Sequence, residues 1–231
     1  MNGTAQETGP PSRAGLDRAL LGRYAILLGG ITAAFAIEGV AEPGRWELVL
    51  ISALLGFTLI LSLRIAEARP VLVRAALIVV VLVVAFGVAQ ALAGEVDERA
   101  SRLATCLLVV FAPPAIVIGV VRRMRETQSV TVEAVIGVLC VYLLVGMFYS
   151  FIYGALDNLG GQPFFAGGQA ASVAHCMYFS FTTLATVGYG DFTARTNLGH
   201  TLSVSEGLLG QVYLVTVVSL IVGNLGRRRV R

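Results

Sequence analysis

The chain has 231 residues, of which 56% are hydrophobic and only 13% charged, with a mean hydropathy of +0.81 and a formal charge of +3. Soluble domains carry about 25% charged residues. This chain has too few polar side chains to cover a water-facing surface, so the fold class expected is an all-α integral membrane protein.

Residues 1–22 are polar and rich in Gly, Pro, Ser and Thr, the composition of a flexible N-terminal tail. Apolar segments follow at about 24–41, 46–64, 71–93, 103–121, 131–153 and 198–225. Each is near or above the ~20 residues needed to cross hydrocarbon, which predicts six transmembrane helices. A shorter stretch at about 172–184 cannot span, and reads as a re-entrant helix with Ser172 as its N-cap. Such a helix survives at membrane depth only when packed inside protein.

The composition divides the chain near residue 124. Residues 23–123 hold four apolar helices, 124–226 hold helix, short helix, loop and helix, and 227–231 form a basic tail. The polar, basic segment 121–131 is expected to lie along the inner membrane surface. The first helix also permits a second reading: three arginines, an apolar run and Ala34–Phe35–Ala36 resemble a cleavable signal peptide. Sequencing the mature N-terminus decides between them. Cys106, Cys140 and Cys176 lie in apolar segments without metal-like spacing and are expected to be small buried hydrophobes.

Every basic residue is arginine, and its distribution sets the orientation. Arg13, Arg18, Arg23, Arg64, Arg69, Arg74, Arg122, Arg123, Arg125, Arg227, Arg228, Arg229 and Arg231 fall on one side, thirteen of seventeen. The alternate loops carry Glu38, Glu42 and Glu47, then Glu95, Asp97 and Glu98, with Arg45, Arg99 and Arg102. The positive-inside rule places both termini in the cytoplasm, as six crossings require. Residues 154–197 then face outward.

The most specific feature is Tyr178-Phe-Ser-Phe-Thr-Thr-Leu-Ala-Thr-Val-Gly-Tyr-Gly-Asp191. This string resembles the tetrameric potassium channels, and the likeness extends over about residues 130–226. By that likeness, its TVGYG core is identified as the loop that replaces the water around a potassium ion with backbone carbonyls. The chemistry is readable in the residues as well. A bare ion in hydrocarbon costs tens of kcal/mol, and neutral carbonyls can be stacked in rings. Aiming successive carbonyls one way needs alternating backbone handedness, which Gly188 and Gly190 supply without steric cost. The bland alternative is a turn with an incidental Gly-Tyr-Gly.

The resemblance implies K+ held by the carbonyls of Thr186, Val187, Gly188 and Tyr189, with the Thr186 hydroxyl as innermost ring. Val187 and Tyr189 would point away and brace the loop, and Gly190, Asp191, Tyr178 and Thr182 would support it. The short helix would aim its C-terminal partial negative charge at the ion. One filter copy per chain requires four chains around an axis, a homotetramer. No cofactor is expected beyond the permeant ion.

Two positions depart from the commonest pattern: Ala185 stands where a second Thr is frequent, and Thr182 replaces an acidic or apolar residue. Tyr178 occupies a position often held by Trp, which predicts a hydrogen bond from its hydroxyl to Asp191; an interfacial Tyr is the alternative. Gly210 lies twenty residues beyond Gly190, the family's spacing for a gating hinge. Close helix packing explains such a glycine equally well. Gln211, Leu214, Val218 and Val222 are expected to face the cavity, Val222 near a closing ring. Glu206 is an acid deep in the last helix and a functional candidate for that reason. It is expected behind the filter, bonded to the short helix, with a pH-sensing role as the alternative. His200 reads as a solvated or interfacial His.

The fourth apolar segment carries no internal Arg, which argues against strong voltage gating. After the last helix only a short arginine tail remains in this sequence. Arg227, Arg228, Arg229 and Arg231 could hold anionic lipid headgroups at about 1 kcal/mol each, or serve as topology anchors only. No nucleic acid is expected, and no His, Asp, Ser or Cys constellation supports an enzyme. The reading is a passive, potassium-selective homotetrameric channel of the cell membrane. The alternatives are a poorly conducting regulatory subunit and a component of a potassium uptake system.

Overall fold

The computed structural model describes the backbone over 13–40, 45–93, 108–109, 111, 114–118, 121–122, 132–159 and 161–228. Six helices run through these residues: α1 (Arg13–Val40), α2 (Arg45–Ile65), α3 (Pro70–Ala93), α4 (Val132–Leu159), α5 (Val173–Leu184) and α6 (Asn197–Arg228). The described residues of the fourth apolar segment are also helical, 114–118 included, so Pro114 sits at a helical position. Pro113 and residues 94–107 and 123–131 lie outside the described residues.

Among the described residues three helices are long and apolar enough to cross a membrane: Leu21–Gly39, Pro70–Ala93 and Ala134–Asp157. Val49–Ile65 in α2 is a shorter apolar run. α1 starts at Arg13, so part of the tail expected through residue 22 is helical. Arg13–Gly22 is rich in Ala, Leu and Arg, all good helix formers, and this outweighs its polarity.

α1 is the hub. One face carries Leu27, Ile31 and Ala34, fully buried at helical spacing. They join Leu55 and Leu59 of α2 and Leu144 and Met147 of α4 in one core, which also takes in Leu108, Val109 and Ile116 of the fourth segment. α3 leans on α2 and turns most of its apolar surface outward: Leu72, Ile78, Val81, Leu82 and Leu92 are exposed. In lipid that surface needs no protein cover. The buried hydroxyls of Thr58 and Ser62 return to the carbonyls of Leu55 and Leu59 at 2.7 Å, so the core of α2 holds no stranded donor there. Near the C-terminal end of the fourth segment, Arg122 pairs with Glu67 after α2 at 2.7 Å, an exposed ion pair of small energetic weight.

The same hub reaches the short helix. Phe35 of α1 meets Phe181 of α5 edge-on, with ring centroids 4.8 Å apart. Phe181 in turn lies over Gly146 of α4, where a Cβ would come within 2.5–2.9 Å of three of its ring atoms. The first helix therefore packs on the short helix of its own chain, through a ring seated in a notch that a glycine leaves open. Gly146→Ala would push that ring into Phe35. We expect overpacking to cost about 1–3 kcal/mol, read as a lowered unfolding midpoint. Pairing it with Phe35→Leu should recover part of the loss.

Candidate functional site

The site is built from α5, the loop after it, and the walls formed by α4 and α6. α5 starts as its sequence predicts: Ser172 has an extended backbone (φ −61°, ψ 160°) and its side chain accepts from the His175 N–H at 3.2 Å. The His175 ring lies 2.7 Å from the Ala170 carbonyl oxygen. At the other end the helix turns directly into the loop. The Phe181 carbonyl accepts from Ala185 N–H (3.0 Å), and Thr183 from Thr186 (2.9 Å). The Thr182 carbonyl accepts twice, from Val187 (2.8 Å) and Gly188 (3.1 Å). The last carbonyls of α5, left over by its own ladder, thus hold the first residues of the loop.

The loop backbone alternates. Thr186, Gly188 and Gly190 have φ of +56°, +54° and +81°, while Val187 and Tyr189 are not in the positive region. Glycine takes such angles freely, but Thr186 does not, and an L-residue there costs about 1–2 kcal/mol. Among the described residues only Glu67 and Thr186 are non-glycine residues with positive φ. The three bonds from the loop to the Thr182 and Thr183 carbonyls oppose that strain.

At the far end of the loop the expected bond from Tyr178 to Asp191 is present. The Tyr178 hydroxyl donates to Asp191 Oδ2 at 2.8 Å, and Asp191 Oδ1 accepts from Phe192 N–H at 3.1 Å. The Tyr178 ring also stacks on Tyr189, 6.2 Å between centroids and 10° between planes. That bond holds the Tyr178 hydroxyl above its ordinary pKa, so the hydroxyl keeps the proton it donates at neutral pH and loses it as pH rises through that elevated value. Tyr178→Phe removes the bond and leaves the ring stack. We expect several-fold faster loss of current during sustained opening, measured in planar bilayers; unchanged kinetics would mean the bond holds nothing.

The Thr182 hydroxyl turns back to the carbonyls of Tyr178 (2.9 Å) and Phe179 (3.0 Å), so its support of the loop runs through its backbone oxygen. Beyond Asp191 the chain pairs briefly with the loop before α5. Phe165 and Ala194 form an antiparallel bridge, Ala166 N–H donates to Thr193, and Arg195 N–H donates to Phe164. Beneath lies an aromatic cluster of Tyr153, Phe164, Phe165, Phe179 and Phe192 with centroids about 5–6 Å apart. The His200 Nε2 lies 2.7 Å from the Ala194 carbonyl oxygen, which ties the start of α6 to this layer.

Glu206 is fully buried, behind the short helix. Its Oε2 accepts from the Tyr153 hydroxyl of α4 at 2.6 Å, and its Oε1 lies 2.5 Å from the Ser180 hydroxyl of α5. The bond to the short helix was expected; the identities of Tyr153 and Ser180 were not, since nothing local in the sequence marks them. The missed signal was the acid itself: a buried carboxyl requires donors, and tyrosine and serine on the neighbouring apolar helices are the natural suppliers. Tyr149 of α4 adds a 3.1 Å bond to Ser205, and the Tyr213 hydroxyl of α6 bonds the Val138 carbonyl of α4.

Gly210 lies against the end of α5. A Cβ there would overlap the Leu184 carbonyl oxygen and sit 2.9 Å from its carbon. At this position the glycine is needed for close approach, whatever its part in bending. Gln211 and Leu214 are exposed on α6. Val218 and Val222 belong to the α6 backbone, but their side chains lie outside the described residues, as do those of Arg227 and Arg228 and all of Arg229 and Arg231.

No group of three or more His, Cys, Asp or Glu residues with metal-binding geometry occurs among the described residues. Cys140 and Cys176 are buried; Cys106 lies outside the described residues. A comparison with curated proteins gives no match. Residues 137–226 match a family model described as "Ion channel". That stretch takes in most of α4, the whole of α5, the loop and nearly all of α6, so in these elements the chain is similar to an ion-channel domain.

Proposed function

We propose that the chain is the subunit of a potassium-selective channel, passive and weakly or not voltage-gated, with four copies around one axis. The observation that carries this reading is the alternating backbone of Thr186–Gly190 pinned to the C-terminal carbonyls of α5. Alternating handedness sends successive carbonyls of Thr186, Val187, Gly188 and Tyr189 to one side, where rings from four chains would replace the water of K+. The negative end of α5 favours a cation at the same place.

Apolar surface supports the assembly. Val187 and Tyr189 are 52% and 71% exposed in the single chain, and Val204, Leu208, Val212 and Val215 of α6 are exposed at 58–67%. Val187 and Tyr189 belong to the loop and the others to α6, and neighbouring copies would cover them. In this arrangement six helices cross the plasma membrane, with residues 23–123 as a peripheral domain, 124–226 as the pore and both termini in the cytoplasm. The packing of α1 on α4 and α5 of its own chain supports an arrangement in which the peripheral helices stay with their own pore domain. The terminal arginines would meet anionic headgroups.

The test is ion flux into liposomes that contain only the purified protein. Uptake of K+ well above that of Na+ is expected, from a particle with the mass of four chains. A tetramer that passes no ion would favour the regulatory-subunit reading, and equal K+ and Na+ uptake would overturn selectivity.

A further inference from the structure

Ser180 has one hydroxyl proton and two acceptors at bonding distance. Its Oγ lies 2.7 Å from the Gly146 carbonyl oxygen and 2.5 Å from Glu206 Oε1. All three residues are buried or in helix contact: Ser180 and Glu206 are fully inaccessible, and Gly146 is covered by the Phe181 ring. A carboxylate can only accept, and a serine hydroxyl can donate only once. If Glu206 were ionised, one of the two short contacts would be oxygen against oxygen with no proton between them. A single added proton resolves this.

The geometry points to Glu206 as a neutral carboxylic acid that donates through Oε1 to Ser180, while Ser180 donates onward to the Gly146 carbonyl. Oε2 is then the carbonyl oxygen of the acid and accepts from Tyr153. The result is a one-way chain, Tyr153 to Glu206 to Ser180 to Gly146, with every proton assigned. It links α6 to α5 and α4 at the level of the short helix. The titratable groups that face Glu206 are phenols of α4: Tyr153 in contact, with Tyr149 beside it and Tyr142 within electrostatic reach. From α5 comes only the Ser180 hydroxyl. Among the described residues no cation stands in this layer to hold a carboxylate, and a buried unpaired charge is expensive.

Glu206 is therefore a positioning residue. It holds the back of α5, whose last carbonyls hold the loop. Deprotonation would turn the Ser180 hydroxyl away from Gly146 and put a charge between three helices. This inference rests on the channel reading for its consequence, but not for its chemistry.

Glutamine is the discriminating substitution, because its amide presents one acceptor atom and one donor atom, as the neutral acid does, the nitrogen differing in carrying a second N–H. Glu206→Gln is expected to keep the unfolding midpoint of the detergent-solubilised assembly. Glu206→Ala and Ser180→Ala should each lower it by several degrees. The wild-type minus Glu206→Gln infrared difference spectrum at neutral pH should contain the C=O stretch of an undissociated acid. On titration to alkaline pH that band should give way to carboxylate bands, with a falling midpoint in wild type and a steady one in Glu206→Gln. Carboxylate bands in the neutral difference spectrum would overturn the assignment, as would a Glu206→Gln protein as unstable as Glu206→Ala. Neither readout needs conduction. If wild-type protein failed to pass K+ while the acid band was present, the channel reading would fall and this one would stand.

Discussion

Gly188→Ala is expected to abolish potassium flux while the protein still inserts and folds. Gly188 sits at φ +54° with nothing within 4 Å of the position a Cβ would take. Loss would therefore come from backbone strain and not from a clash. An L-residue in that region costs about 1–2 kcal/mol. In the proposed ring of four chains the penalty applies four times, about 4–8 kcal/mol against the proposed conducting geometry. At 1.4 kcal/mol per factor of ten, the population of correct filters would fall roughly a thousandfold or more. The loop has an easy escape, since rotation of the 188 peptide relieves the strain and turns a carbonyl away from the proposed ion path.

Gly168→Ala is the matched control. Gly168 has φ +75°, also with open space around its Cβ, but it lies in the loop before α5. The same strain there should lower stability and leave K+ over Na+ selectivity intact. Flux and selectivity in liposomes, with circular dichroism to confirm folding, separate the two. Retained K+ flux in Gly188→Ala would remove the backbone-alternation argument altogether.

The contrast marks what the sequence makes legible. The loop string, the Ser172 cap and the Tyr178–Asp191 pair are all local: cap and donor lie three residues apart, and Tyr178 and Asp191 thirteen. Short-range geometry follows from residue type, so these could be read in advance. Glu206 could be flagged as an acid out of place, but its partners lie 26 and 53 residues away, and only tertiary packing selects Ser180 and Tyr153. The Phe35–Phe181 contact is more distant still. It depends on a notch at Gly146, and an apolar helix with many glycines gives no hint which one receives a ring. The start of α1 at Arg13 was obscured because polarity and helix propensity disagree there, and only the first is visible in a hydropathy reading.

Gly210 shows the same limit and leads to the second large effect. Its spacing from Gly190 suggested a hinge, whereas its surroundings describe a contact. The Leu184 carbonyl occupies the space a Cβ would need, and that carbonyl belongs to the last residue of α5. Gly210→Ala must then push α6 away from the end of the helix that holds the loop. Overpacking against backbone costs about 1–3 kcal/mol, since no side chain can rotate out of the way. Gly207, one turn earlier, supplies the comparison: a Cβ there would meet the Thr183 carbonyl oxygen at 3.6 Å, an ordinary contact. Gly207→Ala should be neutral or stabilising, by up to about 1 kcal/mol from helix propensity alone. Gly210→Ala should lower the unfolding midpoint and reduce K+ flux together, because the displaced element is the one that positions the loop. A pure hinge behaves differently: alanine would leave the midpoint unchanged or higher and alter only the rate or probability of opening. Single-channel recording beside thermal unfolding of both variants therefore assigns the glycine. A destabilised Gly210→Ala and a stable Gly207→Ala identify close approach to Leu184 as the reason position 210 carries no side chain.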